Sequence, residues 1–173
     1  VVSSAQKWSF QNDTLNEQER QVVLQIYSVE KCIEKSPTDT TCFQYLKPAL
    51  RNAYYLNFYK AIAAIYNVKG SVYFQRSDWE YAINCFEMSI RAAHFINAKS
   101  ERCEMIMHSL VDLAEVYNYN GDYVTALEYR MKALQYEDSL KVSASQRLNL
   151  YVSIANDFRH LNQQSKAIEY LKV

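Results

Sequence analysis

Along most of the chain, apolar residues recur at three- and four-residue steps, the spacing that gathers side chains on one face of an α-helix. Leu110, Leu113, Ala114 and Tyr117 follow it, and Ala126, Leu127, Arg130, Ala133 and Leu134 take up the same rhythm. Asn120-Gly121-Asp122 stands between the two runs. Gly121 can adopt the left-handed conformation that ends a helix and Asp122 can cap the next one, so residues 107–138 read as an antiparallel helix pair. An earlier pair has Tyr66, Gly70 and Tyr73, the turn Arg76-Ser77-Asp78 with Asp78 as cap, then Ala82, Ile83, Phe86, Ser89 and Ile90. A later one has Tyr151, Ile154, Ala155 and Phe158, then Asn162 in the glycine's place, then Ala167, Ile168 and Leu171.

The N-terminal third is less regular. Residues 1–13 are polar and aperiodic and read as a loose arm, with Trp8 and Phe10 able to tuck against the first helix. Thr14-Leu15-Asn16-Glu17 fits a capping box between Thr14 and Glu17. It predicts a helix to about Lys35, with Leu15, Val22, Val23, Ile26, Tyr27, Val29 and Ile33 on its apolar stripe and Ser36-Pro37 as its end. Thr38 or Asp39 can cap the next segment. Pro48 predicts a short helix over 39–46 followed by a new helix or a kink. From Leu50 through Gln75 the chain is apolar and aromatic nearly all round, the pattern of a helix packed on two sides.

The pairs resemble the tetratricopeptide repeat, whose pattern is W-x2-L-G-x2-Y, then A-x3-F, then A and P. Tyr66, Gly70 and Tyr73 match its first-helix signature, with Lys69 where the family has leucine. Ala82, Ala126 and Ala167 set the register at spacings of 44 and 41 residues, against about 34 in the standard repeat. The excess falls at 92–102 and 136–146, which predicts second helices lengthened by a turn or more. The organisation expected is an arm over 1–13, a helical extension or degenerate repeat over 14–62, and three repeats over 63–173 with the last incomplete. The chain begins at Val1 and ends on an uncovered apolar face, so a longer native chain is expected.

This resemblance implies an all-α fold, a right-handed superhelix of antiparallel helix pairs, acting as a non-catalytic scaffold for a peptide or protein segment. Long repeats of this kind resemble those of bacterial peptide-sensing regulators, of scaffold proteins that hold extended peptides, and of extracytoplasmic sensor arrays. The cytoplasm is the favoured compartment, and an exported one stays open. In the family the first helices line a concave groove. The side of each that faces away from the core signature carries Asn67, Ser71 and Phe74; then His108, Val111, Glu115, Asn118 and Tyr119; then Val152, Asn156 and Arg159. An amide offers both a donor and an acceptor, so Asn67, Asn118 and Asn156 are the candidates to bracket a peptide backbone; they read equally well as solvated helix residues. No lysine stands at these positions, so the Lys and Asn clamp with which some family members grip a carboxylate tail is not expected.

Composition narrows the function classes. At 173 residues and 49% hydrophobic content the chain can bury a sizeable core, and two glycines and two prolines are too few for a turn-rich β fold. Nineteen basic residues balance nineteen acidic ones, so no global field draws nucleic acid or anionic lipid. No apolar run approaches the roughly 20 residues of a membrane span. His94, His108 and His160 lack catalytic neighbours, and no zinc, phosphate-loop or calcium-loop motif occurs, so no enzyme, cofactor or metal is expected. Cys32, Cys42, Cys85 and Cys103 read as small buried hydrophobes, although Cys32 and Cys42 flank the Ser36-Pro37 turn and can meet across it. Of fifteen tyrosines, Tyr66, Tyr73, Tyr117, Tyr123 and Tyr151 fit core positions. Tyr54, Tyr55, Tyr59 and Tyr119 fit a surface that meets other proteins or a second copy in a homo-oligomer.

Overall fold

The computed structural model describes residue 10, residues 14–136 and residues 144–172. Among the described residues there are helices and turns and no strand. The α-helices are α1 (Glu17–Lys35), α2 (Phe43–Tyr55), α3 (Tyr59–Gln75), α4 (Trp79–Ala93), α5 (Lys99–Tyr119), α6 (Tyr123–Leu134), α7 (Ala144–His160) and α8 (Gln164–Tyr170). They form two compact units, one ending at Ile96 and one beginning at Asn97. None of these helices is long and apolar enough to cross a membrane.

In the first unit α1 begins at a capping box two residues later than the sequence suggests. The Asn16 N–H donates to Glu19 Oε2 and the Glu19 N–H donates to Asn16 Oδ1, both at 2.9 Å. Asparagine is the better cap, and this start turns Val22, Val23, Ile26, Val29 and Ile33 inward. Phe10 is buried and meets Tyr27 and Phe58 edge-on, at 6.3 and 5.8 Å between ring centres. The rest of the arm, Trp8 included, lies outside the described residues. After α1, Asp39 caps a 3-10 turn over Thr40–Cys42, its Oδ1 accepting from the Thr41 N–H at 2.8 Å. Cys32 and Cys42 are joined there as a disulfide, whereas Cys85 and Cys103 are buried thiols.

Two expectations for this region fail. Pro48 lies inside α2 without ending it. Proline removes one N–H, and the burial of Leu46, Ala49 and Ala53 on one face outweighs that loss. The apolar stretch 50–75 is in turn two helices and not one, because Asn57 takes a left-handed backbone (φ 52°) between Tyr55 and Tyr59. The same turn recurs at Ser77, Gly121 and Asn162, with φ of 61°, 83° and 58°. In each case the next residue's N–H reaches back five positions: Phe58 to Ala53, Asp78 to Tyr73, Asp122 to Tyr117 and Gln163 to Phe158, at 2.8–2.9 Å. This is the Schellman closure, which satisfies carbonyls left over at a helix end and hands the chain directly to the next helix.

Within the α3–α4 pair a Cβ on Gly70 would lie 2.6 Å from Phe86 Cε1, so glycine is what lets the ring seat on the helix. Ser89 Oγ ties α4 to the Ala63 carbonyl at 2.9 Å. Lys69, the departure from the repeat signature, holds its ammonium 5.7 Å from the ring centres of both Phe43 and Tyr66. Asp78 occupies the cap position of α4, but its carboxylate takes the Arg76 Nε at 2.7 Å in place of the helix N–H groups.

The extra residues at 92–102 do not lengthen α4. They form the connection after Ala93, where Ile96 is buried, and the first turn of a 21-residue α5. The reason is a second apolar set, Cys103, Met105, Ile106 and Met107, that extends the buried face of α5 toward its start. Of the second stretch, residues 137–143 lie outside the described residues, and α6 ends at Leu134. In α8 only Ala167 is buried. Ile168, and Leu171 at the C-cap, are exposed.

Candidate functional site

The face read from the sequence as a groove divides sharply on burial. In the first unit Asn67 is 1% exposed, which corrects its assignment to an open face. Its carbonyl accepts the half-buried Ser71 hydroxyl at 3.1 Å. Phe74 is also half-buried and packs on Trp79 at 5.6 Å. These residues are engaged within the helix pair.

The second unit presents more. His108 is half-buried on α5, and Val111 packs against the Leu150, Ile154, Ala155, Phe158 and Ala167 cluster, so it serves that core. Glu115 and Tyr119 on α5 are exposed, as are Val152, Asn156 and Arg159 on α7. Between them lies Asn118, half-buried, whose Nδ2 donates to Asp157 Oδ1 at 2.8 Å. The other oxygen of Asp157 accepts from Arg130 Nη1 on α6. Both charged side chains are buried, and the Arg130 Nε has no hydrogen-bond partner among the described residues.

This chain of contacts fixes the Asn118 amide. A carboxylate paired with a guanidinium only accepts, so the nitrogen of Asn118 faces Asp157 and its Oδ1 is left as an acceptor. On α7, Asn156 and Arg159 flank Asp157 and stand three residues apart, on neighbouring positions of the helix surface. Neither side chain makes a hydrogen bond or ion pair with the described residues. The face thus offers an exposed amide and guanidinium on α7 and one pre-set acceptor on α5. Such groups recognise a polar chain; none is paired as nucleophile and base.

Asp157 escaped the sequence reading, and Arg130 was counted only in the apolar rhythm. The signal available was the mismatch itself. Arg130 lies at the repeat position that Phe86 fills 44 residues earlier, and a guanidinium on an apolar face requires a buried anion.

Elsewhere the structure supplies little reactive chemistry. Burial pushes the Cys85 thiol up, with Lys69 acting weakly against it. Burial also raises the Tyr66 phenol, aided by the Tyr54 hydroxyl 3.4 Å away. Among the described residues the metal-ligand grouping that stands out is Cys32, Asp39 and Cys42, whose two sulfurs are bonded to each other.

No protein-family model matches this chain, and no curated protein does. Solved structures do. NprR in complex with its cognate peptide NprX is similar at TM-score 0.66 and 15% identity, over 87% of this chain and 42% of that one. MamA is similar at TM-score 0.52 and 16% identity, over 91% of this chain and 92% of its own. The chain therefore spans less than half of NprR. At these identities the likeness speaks for the fold, which is all-α and of the tetratricopeptide-repeat type.

Proposed function

We propose that this chain is a non-catalytic scaffold that binds a peptide or protein segment on the α5–α7 face of its second unit, as the recognition part of a larger regulatory protein with long repeats. The observation that carries this reading is the Asn118 amide, held by Asp157 with its oxygen presented beside the unengaged Asn156 and Arg159. An extended segment has N–H groups for that oxygen and carbonyls for the Asn156 amide. The complex of NprR with a peptide supports a fold of this type serving such a role.

The test is capture from a lysate by the immobilised chain, beside an Asn156→Ala/Arg159→Ala variant. Both side chains are exposed and make no hydrogen bond or ion pair with the described residues, so the variant is expected to keep its fold. A partner retained by the parent and lost by the variant supports the reading, whereas a partner kept equally by both counts against it. A second reading, self-association, is favoured by the exposure of Leu148 on α7, Ile168 on α8 and Leu171 at the C-cap of α8. Light scattering separates the two, since a monomeric mass at high concentration removes it.

A further inference from the structure

The disulfide between Cys32 and Cys42 closes the turn from α1 to α2 across ten positions of sequence, with Cα atoms 6.3 Å apart. The turn is built around it. Ser36 N–H bonds the Cys32 carbonyl, Asp39 N–H bonds the Ser36 carbonyl, and Thr41 N–H bonds the Asp39 carboxylate. A carboxylate oxygen of Asp39 lies within 4.8 Å of both sulfurs, and its hydrogen bonds with Thr41 hold it below the usual carboxylate range.

That neighbour distinguishes between the possible roles of a cysteine pair. Redox-switching cysteines work as thiolates and sit in electropositive surroundings. A fixed negative charge does the reverse: it disfavours either thiolate in the reduced pair, and it repels an anionic thiolate approaching the oxidised one. Cys42 is also buried, leaving Cys32 as the half-exposed sulfur. The other two cysteines are buried one in each unit.

From this we infer that Cys32–Cys42 is a durable structural staple, installed by a thiol–disulfide exchange protein, and that this chain folds in an oxidising compartment. The exchange balances as two displacements. The Cys32 thiolate attacks the donor's disulfide and one donor sulfur leaves as a thiolate. The Cys42 thiolate then displaces the second donor sulfur from the mixed disulfide. Two electrons pass from the cysteine pair to the donor, which departs as a dithiol carrying the two protons.

The experiment is alkylation of the full chain, taken without reductant from the cells that make it, under denaturing conditions with mass readout. Two alkylated residues, Cys85 and Cys103, with a linked Cys32–Cys42 peptide is the expected result; four alkylated cysteines overturn the inference. Durability is read separately with Asp39→Asn, which keeps an oxygen for the Thr41 cap. Reduction by glutathione is expected to speed up several-fold in this variant at low salt and to lose that difference at high salt, as a screened charge effect must. An unchanged rate overturns the role given to Asp39. Zinc bound one-to-one by the natively isolated chain would replace the staple with a metal site and overturn the inference as well.

Discussion

The ring of Phe86 rests on the backbone of α3 at Gly70, where an added Cβ would lie 2.6 to 2.9 Å from three of its carbons. Helix propensity favours Gly70→Ala by about 1 kcal/mol, but overpacking of a filled core costs about 1–3 kcal/mol. Phe86 is fully buried and has nowhere to go, so the clash decides the sign. Gly70→Ala is expected to lower the urea midpoint, and Phe86→Leu introduced beside it is expected to recover part of the loss. A stabilised single variant would show that the ring relocates freely.

Asp157 and Arg130 form a buried pair whose members are unequal to their surroundings once separated. Asp157→Ala leaves an uncompensated guanidinium, a change that costs about 3–5 kcal/mol. The joint replacement Arg130→Met/Asp157→Leu removes both charges and is expected to cost far less. Hydrogen exchange locates the damage: the single variant should lose protection in α6 and α7 while α3 and α4 stay protected.

The staple closes a short loop. In the chain-entropy account a 15-residue loop is worth about 3 kcal/mol, and the ten-position separation here is shorter. Cys32→Ser/Cys42→Ser is thus expected to cost about 2–3 kcal/mol in denaturant unfolding, and added reductant should destabilise the parent but leave this variant unchanged.

Asp122 caps α6, its Oδ1 accepting the Thr125 N–H at 3.1 Å. That bond holds the carboxyl below its ordinary value of 3.8. A depressed folded value means the contribution is present above the unfolded value and disappears as pH falls through the folded one. Asp122→Ala is therefore expected to melt below the parent at neutral pH, with the gap closing as pH falls below that ordinary value. Thermal melts of both proteins across that range read the difference directly.

Helix identity was legible wherever the signal is local. The three-and-four rhythm, Gly121 and Asn162 in left-handed turns, and the alanines that set the repeat register all depend on residues within one or two turns of each other. The sequence by itself determined an all-α chain of paired helices and marked α3, α5 and α7 as the helices that could carry a binding face. It did not determine where the break in 50–75 falls, because Leu56-Asn57-Phe58 is flanked by apolar residues on both sides and only packing on both neighbours makes a turn there. Nor did it show that Asn67 is sealed in, that Val111 joins a core, or that Arg130 meets Asp157 across 27 positions. Those outcomes rest on which helix faces meet, a question of non-local burial that periodicity cannot answer. Tertiary structure alone fixed the Asn118 amide, its nitrogen turned to a buried carboxylate.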